Sequence, residues 1–204
     1  VVAGRGVPPL PPEPWVVRNA AVERPFNASM LPLTTTEFKE RADKTYLAMR
    51  RPKALVLSPV GYFWMANSGE ESLHEAMRRS LERCGYAAGE PCMVIAIDDT
   101  FVVPIPTLMK VISFYTPNAI RFRVKEEGRK EVARRLAGAN SGWNAVAVGT
   151  AGDVGIAIGA GSEQGAIDGA LADCAKHDNN CRVAVLGPFL IETRNQGIQD
   201  TENP

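Results

Sequence analysis

The sequence predicts an α+β protein of two tandem units, each running helix, strand, strand, helix, strand. Each unit is expected to form a small, mainly antiparallel sheet with its helices on one side. Three observations lead to this reading. First, the stretch from Gly69 to Ala96, GEESLHEAMRRSLERCGYAAGEPCMVIA, returns as Gly161 to Ala184, GSEQGAIDGALADCAKHDNNCRVA. Both have a polar start, an amphipathic run ending in Cys, a short polar loop, a second Cys and a β-rich apolar run. Second, the likeness extends upstream: Ala54 to Gly61 lines up with Ala145 to Gly152, and Phe63 to Ala66 with Val154 to Ala157. Third, a hairpin followed by a helix and a third strand is the pattern of a small sheet with packed helices.

In chain order, residues 1–33 read as a proline-rich arm. Pro8, Pro9, Pro11, Pro12, Pro14, Pro25 and Pro32 fix φ and remove backbone donors, so the arm is expected to be extended and outside any sheet or helix. Trp15, Val16, Val17 and Phe26 are too apolar for a spacer; they either strap the arm onto the body or offer it to a partner.

The first unit spans 34–104. Thr34-Thr35-Thr36-Glu37 reads as a capping box with Thr34 as the cap, and Phe38, Ala42, Tyr46 and Met49 form the apolar face of the helix it opens. Pro52 closes that helix. Ala54 to Leu57 is a short, wholly apolar strand, and Tyr62 to Ala66 returns after the Pro59-Val60-Gly61 turn. Ser68 is the expected N-cap of the next helix, which buries Leu73, Ala76, Met77, Leu81 and Cys84. Gly85 to Pro91 is a loop, Cys92 to Ile97 a strand, and Asp98-Asp99 its end or a turn.

Residues 105–125 read as a connector or an inserted hairpin, because Pro104 and Pro106 interrupt a stretch that still has β character at Val111 to Tyr115 and Ile120 to Val124. The second unit spans 126–192, with helices at 126–137 and 162–174 and strands at 145–148, 154–158 and 181–186. Gly138 is the expected stop of its first helix. The tail from 193 to 204 is polar. Whether the two sheets join edge to edge or pack through their helices stays open.

Lys plus Arg and Asp plus Glu are both 23, so the net charge is zero. That balance gives no long-range attraction to nucleic acid, and none is expected as a partner. No apolar run approaches the ~20 residues that span a bilayer, so no transmembrane segment is expected. A basic start followed by an apolar run is also lacking, so a signal peptide, if the protein is exported, is taken as already removed.

Four cysteines allow three pairings. Duplication selects Cys84 with Cys92 and Cys174 with Cys181, because a bridge within the unit would have existed before the unit doubled. Each would tie a helix end to the next strand for roughly 2.5 kcal/mol on the loop-entropy account. Such bridges imply the periplasm or the extracellular space. The rival reading is metal at Cys174, His177 and Cys181, but the first unit has alanine near the place of His177 and no fourth ligand is evident. No metal and no cofactor is expected, and a redox CxxC is lacking.

Other motifs read as scaffold. Gly159 to Gly165 follows a strand and opens a helix, as a dinucleotide-binding turn does, but only 39 residues follow it, too few for the rest of such a fold. Asp98 and Asp99 are adjacent, so on a strand their side chains diverge instead of converging on a metal. His74 sits on a helix flank without a nucleophile motif. Arg129, Lys130 and Arg134, with Arg135, Arg121 and Arg123, form a basic face offset by Glu126, Glu127 and Glu131.

The pattern carried by Ala54, Gly61, Ala76, Leu81, Cys84 and Cys92, and again by Ala145, Gly152, Ala166, Ala170, Leu171, Cys174 and Cys181, resembles a group of small exported bacterial domains of unknown function. In that group a glycine-turn hairpin precedes a helix ending in Cys, and a second Cys opens the next strand. The resemblance implies export and a cystine-stapled domain, and no reaction.

The expected function is therefore a non-catalytic, exported interaction protein of the bacterial cell envelope, binding a protein partner or a second copy. Trp15, Phe26, Arg129, Lys130 and Arg134 are the candidate contacts. The alternative is an envelope enzyme or small-anion-binding protein with its site between the units. A cleft lined by Asp98, Asp99, His74 or the basic residues favours the alternative; an apolar patch around Trp15, Trp64 or Trp143 favours a partner.

Overall fold

A computed structural model describes residues 9–66, 72–121, 123–139 and 141–192, with 64–66 described in backbone only. The chain is α+β and holds two αββαβ units. The first comprises α1 (Thr36–Tyr46), β2 (Ala54–Leu57), β3 (Phe63–Ala66), α2 (Leu73–Ala88) and β4 (Met93–Ile97), extended by the short β5 (Thr100–Phe101). Before it lie β1 (Arg24–Pro25) and a single 3-10 turn at Ala28–Met30. The second comprises α3 (Glu126–Ala137), β7 (Trp143–Val148), β8 (Val154–Ala160), α4 (Glu163–Cys174) and β9 (Arg182–Leu186), flanked by β6 (Val111–Phe114) and β10 (Phe189–Ile191).

Each unit centres on a five-stranded antiparallel sheet, with strand orders β1-β5-β4-β2-β3 and β6-β10-β9-β7-β8. The hairpins match in register: Ala54 faces Ala66 and Leu57 faces Phe63, as Ala145 faces Ala157 and Val148 faces Val154. Their turns match too. Gly61 N donates to Ser58 O at 3.1 Å and Gly152 N to Gly149 O at 3.2 Å. Both glycines have φ near the left-handed region, +90° and +85°, which is why glycine stands at each.

The units close the same way. Asp98 N donates to Lys53 O at 2.9 Å, and Gly187 N to Asn144 O at 2.8 Å. Asp98 (φ 48°) and Gly187 (φ 57°) open two-residue turns that lead into β5 and β10. Asp98-Asp99 is thus a hairpin turn. Asp99 meets Lys53 at 2.7 Å and also pairs with Arg51, which hold its carboxyl below the usual range. Lys53 is buried; it donates to the Tyr46 and Leu47 carbonyls at 2.8 and 3.2 Å and so satisfies the end of α1.

Helices lie on both faces of each sheet, a correction to the expectation of one side. Leu55 and Leu57 join the cluster that holds Ala42 and Tyr46 of α1, whereas Val56 packs with Leu81 and Cys84 of α2. In the second sheet Ala145 and Ala147 pack with Ala166 and Ala170 of α4, while Val146 and Val148 pack with Val132 of α3. Successive strand residues point to opposite faces, so the wholly apolar strands at 54–57 and 145–148 require cover on both. The largest core cluster draws on both sheets together with α1 and α4. The units therefore meet through helices and sheet faces, and the two sheets remain separate.

Several local expectations shift. Pro25 does enter a sheet, but in β1, which pairs only with β5 at an edge where its missing donor goes unneeded. Residues 105–125 contribute β6, which pairs with β10. Thr35, not Thr34, caps α1, and Ser72 caps α2 through Glu75 N at 3.1 Å. Ser68 lies outside the described residues. The helix α2 continues past Cys84 to Ala88 and stops at Gly89, a left-handed C-cap (φ 74°).

The cysteines pair as Cys84–Cys92 and Cys174–Cys181, each with Cα atoms 6.1 Å apart, and none is free. Among the described residues, no helix is long and apolar enough to cross a membrane.

Candidate functional site

Where the arm crosses the junction of the two units, it forms one wall of a groove of about 370 Å³. Trp15, Val16 and Val17 supply the arm side, Val102 to Pro104 the first-unit side, and Tyr115, Leu136 and Pro188 the second-unit side.

Local chemistry holds each wall. The Trp15 indole donates to Pro11 O at 3.2 Å and stacks on His74 of α2 with ring centroids 4.6 Å apart. Trp15 and Val16 also pack against the apolar cluster under α2. Beyond them the chain turns sharply: Val22 N and Glu23 N both donate to Asn19 O at 3.0 Å, and Arg18 clamps the Glu23 carboxylate with two bonds of 2.5 and 2.7 Å. That clamp keeps the Glu23 carboxyl below its ordinary value. Phe26 then enters the core between Tyr46 and Phe101, both rings 4.9 Å away.

The second-unit wall is fixed by Tyr115 N, which donates to Pro188 O at 2.9 Å. Tyr115 lines the groove; its hydroxyl is buried without a hydrogen-bond partner, and burial raises its pKa, so it stays protonated. A buried hydroxyl left unpaired costs about 1–3 kcal/mol. An apolar groove of this kind suits an extended apolar segment.

A second concavity, about 830 Å³, opens on the second unit around the β7–β8 turn, with Arg123, Lys125 and Arg182 on its rim and Gly149 to Gly152 in its wall. Its charge is partly offset. Lys125 Nζ sits 2.8 Å from both oxygens of Asp153. Asp178 lies beside the turn, accepting from Ala151 N at 2.9 Å, Asn179 N at 2.7 Å and Asp153 N at 3.1 Å. Burial pushes the Asp178 carboxyl up, but those amides and the Lys125 charge outweigh it and hold it below the usual carboxylate range.

The predicted site residues scatter. Trp15 lines the groove; Phe26 is core and offers no surface to a partner. Lys130 pairs with Glu126 at 2.7 Å and Arg134 with Glu131 at 2.7 Å along α3, so the helix neutralises its own basic face. Arg129, whose Nε is buried without a hydrogen-bond partner, also stands outside the groove lining. Asp98, Asp99 and His74 do not line the groove either. Trp143 is buried in the shared core with Arg24 over its ring at 5.6 Å, and the Trp64 side chain lies outside what the structure describes.

The two cysteines beside His177 are joined to each other, which removes the thiolates that metal binding would need. At the glycine turn before α4 the Ser162 hydroxyl caps the helix, accepting from Gly165 N at 3.0 Å, while the Glu163 side chain reaches across to accept from Thr107 N and Oγ1 at 2.8 Å and from Leu108 N at 3.0 Å. Tyr115 and Leu136 were not foreseen as site residues, and no local signal marks them; three segments distant in sequence make the groove. No known protein family, no curated protein and no solved structure matches this chain.

Proposed function

We propose that this chain is a non-catalytic, exported interaction protein of the bacterial cell envelope, and that it takes an extended apolar segment of a protein partner in the groove beside Trp15. The observation that carries the reading is the groove itself. It is lined mainly by apolar side chains, among them the half-exposed Val17. The two disulfides support a periplasmic or extracellular setting. The matched hairpin registers, turns and caps support descent of both units from one duplicated module.

The arm cannot be tested by truncation, since Val22, Phe26 and Leu31 belong to the core. Substitutions in the groove test it instead. Immobilised protein is expected to capture a partner from a cell-envelope extract, Val17→Asp and Leu136→Arg to abolish capture, and Lys130→Glu to leave it intact. Capture unchanged by both groove variants ends this reading.

A second reading, binding of a small anion, is favoured by Arg123, Lys125 and Arg182 around the larger concavity. It ranks second because Asp153 and Asp178 offset much of that charge. Calorimetric titration with phosphate and citrate separates the two: saturable binding lost in Arg182→Ala supports the anion site, and no heat beyond dilution rejects it.

A further inference from the structure

The two disulfides are matched on their helix side and differ on their strand side. Cys84 and Cys174 are both fully buried near the ends of their helices, and the bridges span similar separations, 8 and 7 residues. Cys92 is also buried, at 2% exposure. Cys181 is partly exposed and forms part of the wall of a pocket of about 620 Å³, together with Leu108, Lys110, Leu171 and Arg182. Thiol–disulfide exchange requires the entering sulfur to approach along the S–S axis, so access to one sulfur selects which bridge reacts and where.

We infer that Cys174–Cys181 is an exchangeable disulfide that accepts a low-molecular-weight thiol at Cys181, while Cys84–Cys92 is a closed structural link. The entering thiolate attacks Cys181 Sγ and forms a new S–S bond there. The Cys174–Cys181 bond breaks, its electron pair leaves on Cys174 Sγ, and that sulfur takes a proton from water. One disulfide is consumed and one is formed, so the step needs no further oxidant or reductant. The leaving sulfur is a buried, late-helix cysteine in both units, which makes access the difference between them. The product carries a mixed disulfide at Cys181, at the start of β9, and a buried thiol at the end of α4.

The test uses the whole oxidised chain under native conditions with reduced glutathione at about pH 8, where roughly a quarter of a thiol with pKa near 8.5 is ionised. Samples are quenched in acid and mapped by mass spectrometry. The expected result is one glutathione adduct on Cys181, a free thiol on Cys174 and an intact Cys84–Cys92 bridge, with the second bridge opening at least about ten-fold faster than the first. Leu108 is 57% exposed on the pocket wall, so Leu108→Trp is expected to slow the exchange several-fold without shifting the denaturation midpoint. Equal opening rates for the two bridges, an adduct on Cys174, or Leu108→Trp reacting as fast as the parent overturns the inference.

Discussion

Replacing Gly155 by alanine is expected to separate α4 from its sheet. Gly155 lies on β8 opposite Ala147, and α4 rests on it. A Cβ built there falls 2.6 Å from the Cys174 Cα and closer still to Cys174 N and Ala170 O, whereas real Cβ atoms essentially never come within 3.0 Å of another heavy atom. The obstacle is helix backbone held in place by the Cys174–Cys181 bridge, so no side chain can swing aside. The helix must move, and Ala166, Ile167 and Ala170, all in the shared core, move with it. Overpacking against rigid neighbours costs roughly 3 kcal/mol, the upper end of its usual range. For a chain of this size that lowers Tm by roughly 6–12 °C. The control is Gly161→Ala, where an added Cβ meets nothing within 4 Å and the change should stay within about 0.5 kcal/mol. Both variants are measured by denaturant unfolding with the disulfides intact. If Gly155→Ala matches Gly161→Ala, the close approach of α4 to β8 is refuted.

Two further outcomes follow from buried carboxylates. Glu163→Ala leaves Thr107 N and Leu108 N without their acceptor and should cost about 2 kcal/mol, with faster amide exchange at those two residues; unchanged exchange would show that the link does not hold the 107–108 segment. Asp178, whose carboxyl lies below its ordinary value, contributes stability that is complete above the unfolded-state value near pH 4 and is lost as pH falls through the lower folded value. Asp178→Asn should therefore show a shallower loss of denaturation midpoint between about pH 5 and pH 2 than the parent, and identical slopes would contradict the role of the three backbone amides.

Much of the fold is legible in the sequence because its signals are local. Periodicity at Ala42 and Tyr46, the serine before α4, the glycines at 61 and 152 and the spacing of the cysteines each act within a few residues. The site was less legible. Tyr115 looks like any strand residue, and only its backbone bond to Pro188 and the arm lying across the same groove make it part of a site wall. Phe26 reads as a partner contact because an apolar residue in a proline-rich arm carries no sign of whether its own core will claim it.

The sequence by itself determined the two αββαβ units and the pairing of the four cysteines. These follow from backbone preference, side-chain period and short loop closure, which read the same in any surroundings. Only the tertiary structure decided that helices cover both faces of each sheet, that the units share a core through α1 and α4, that β1 and β6 complete the sheets, and that Cys181 lines a pocket while Cys92 is buried. Those outcomes depend on which surfaces meet across long separations, where shape and the remaining uncovered apolar area choose among partners that local sequence treats alike.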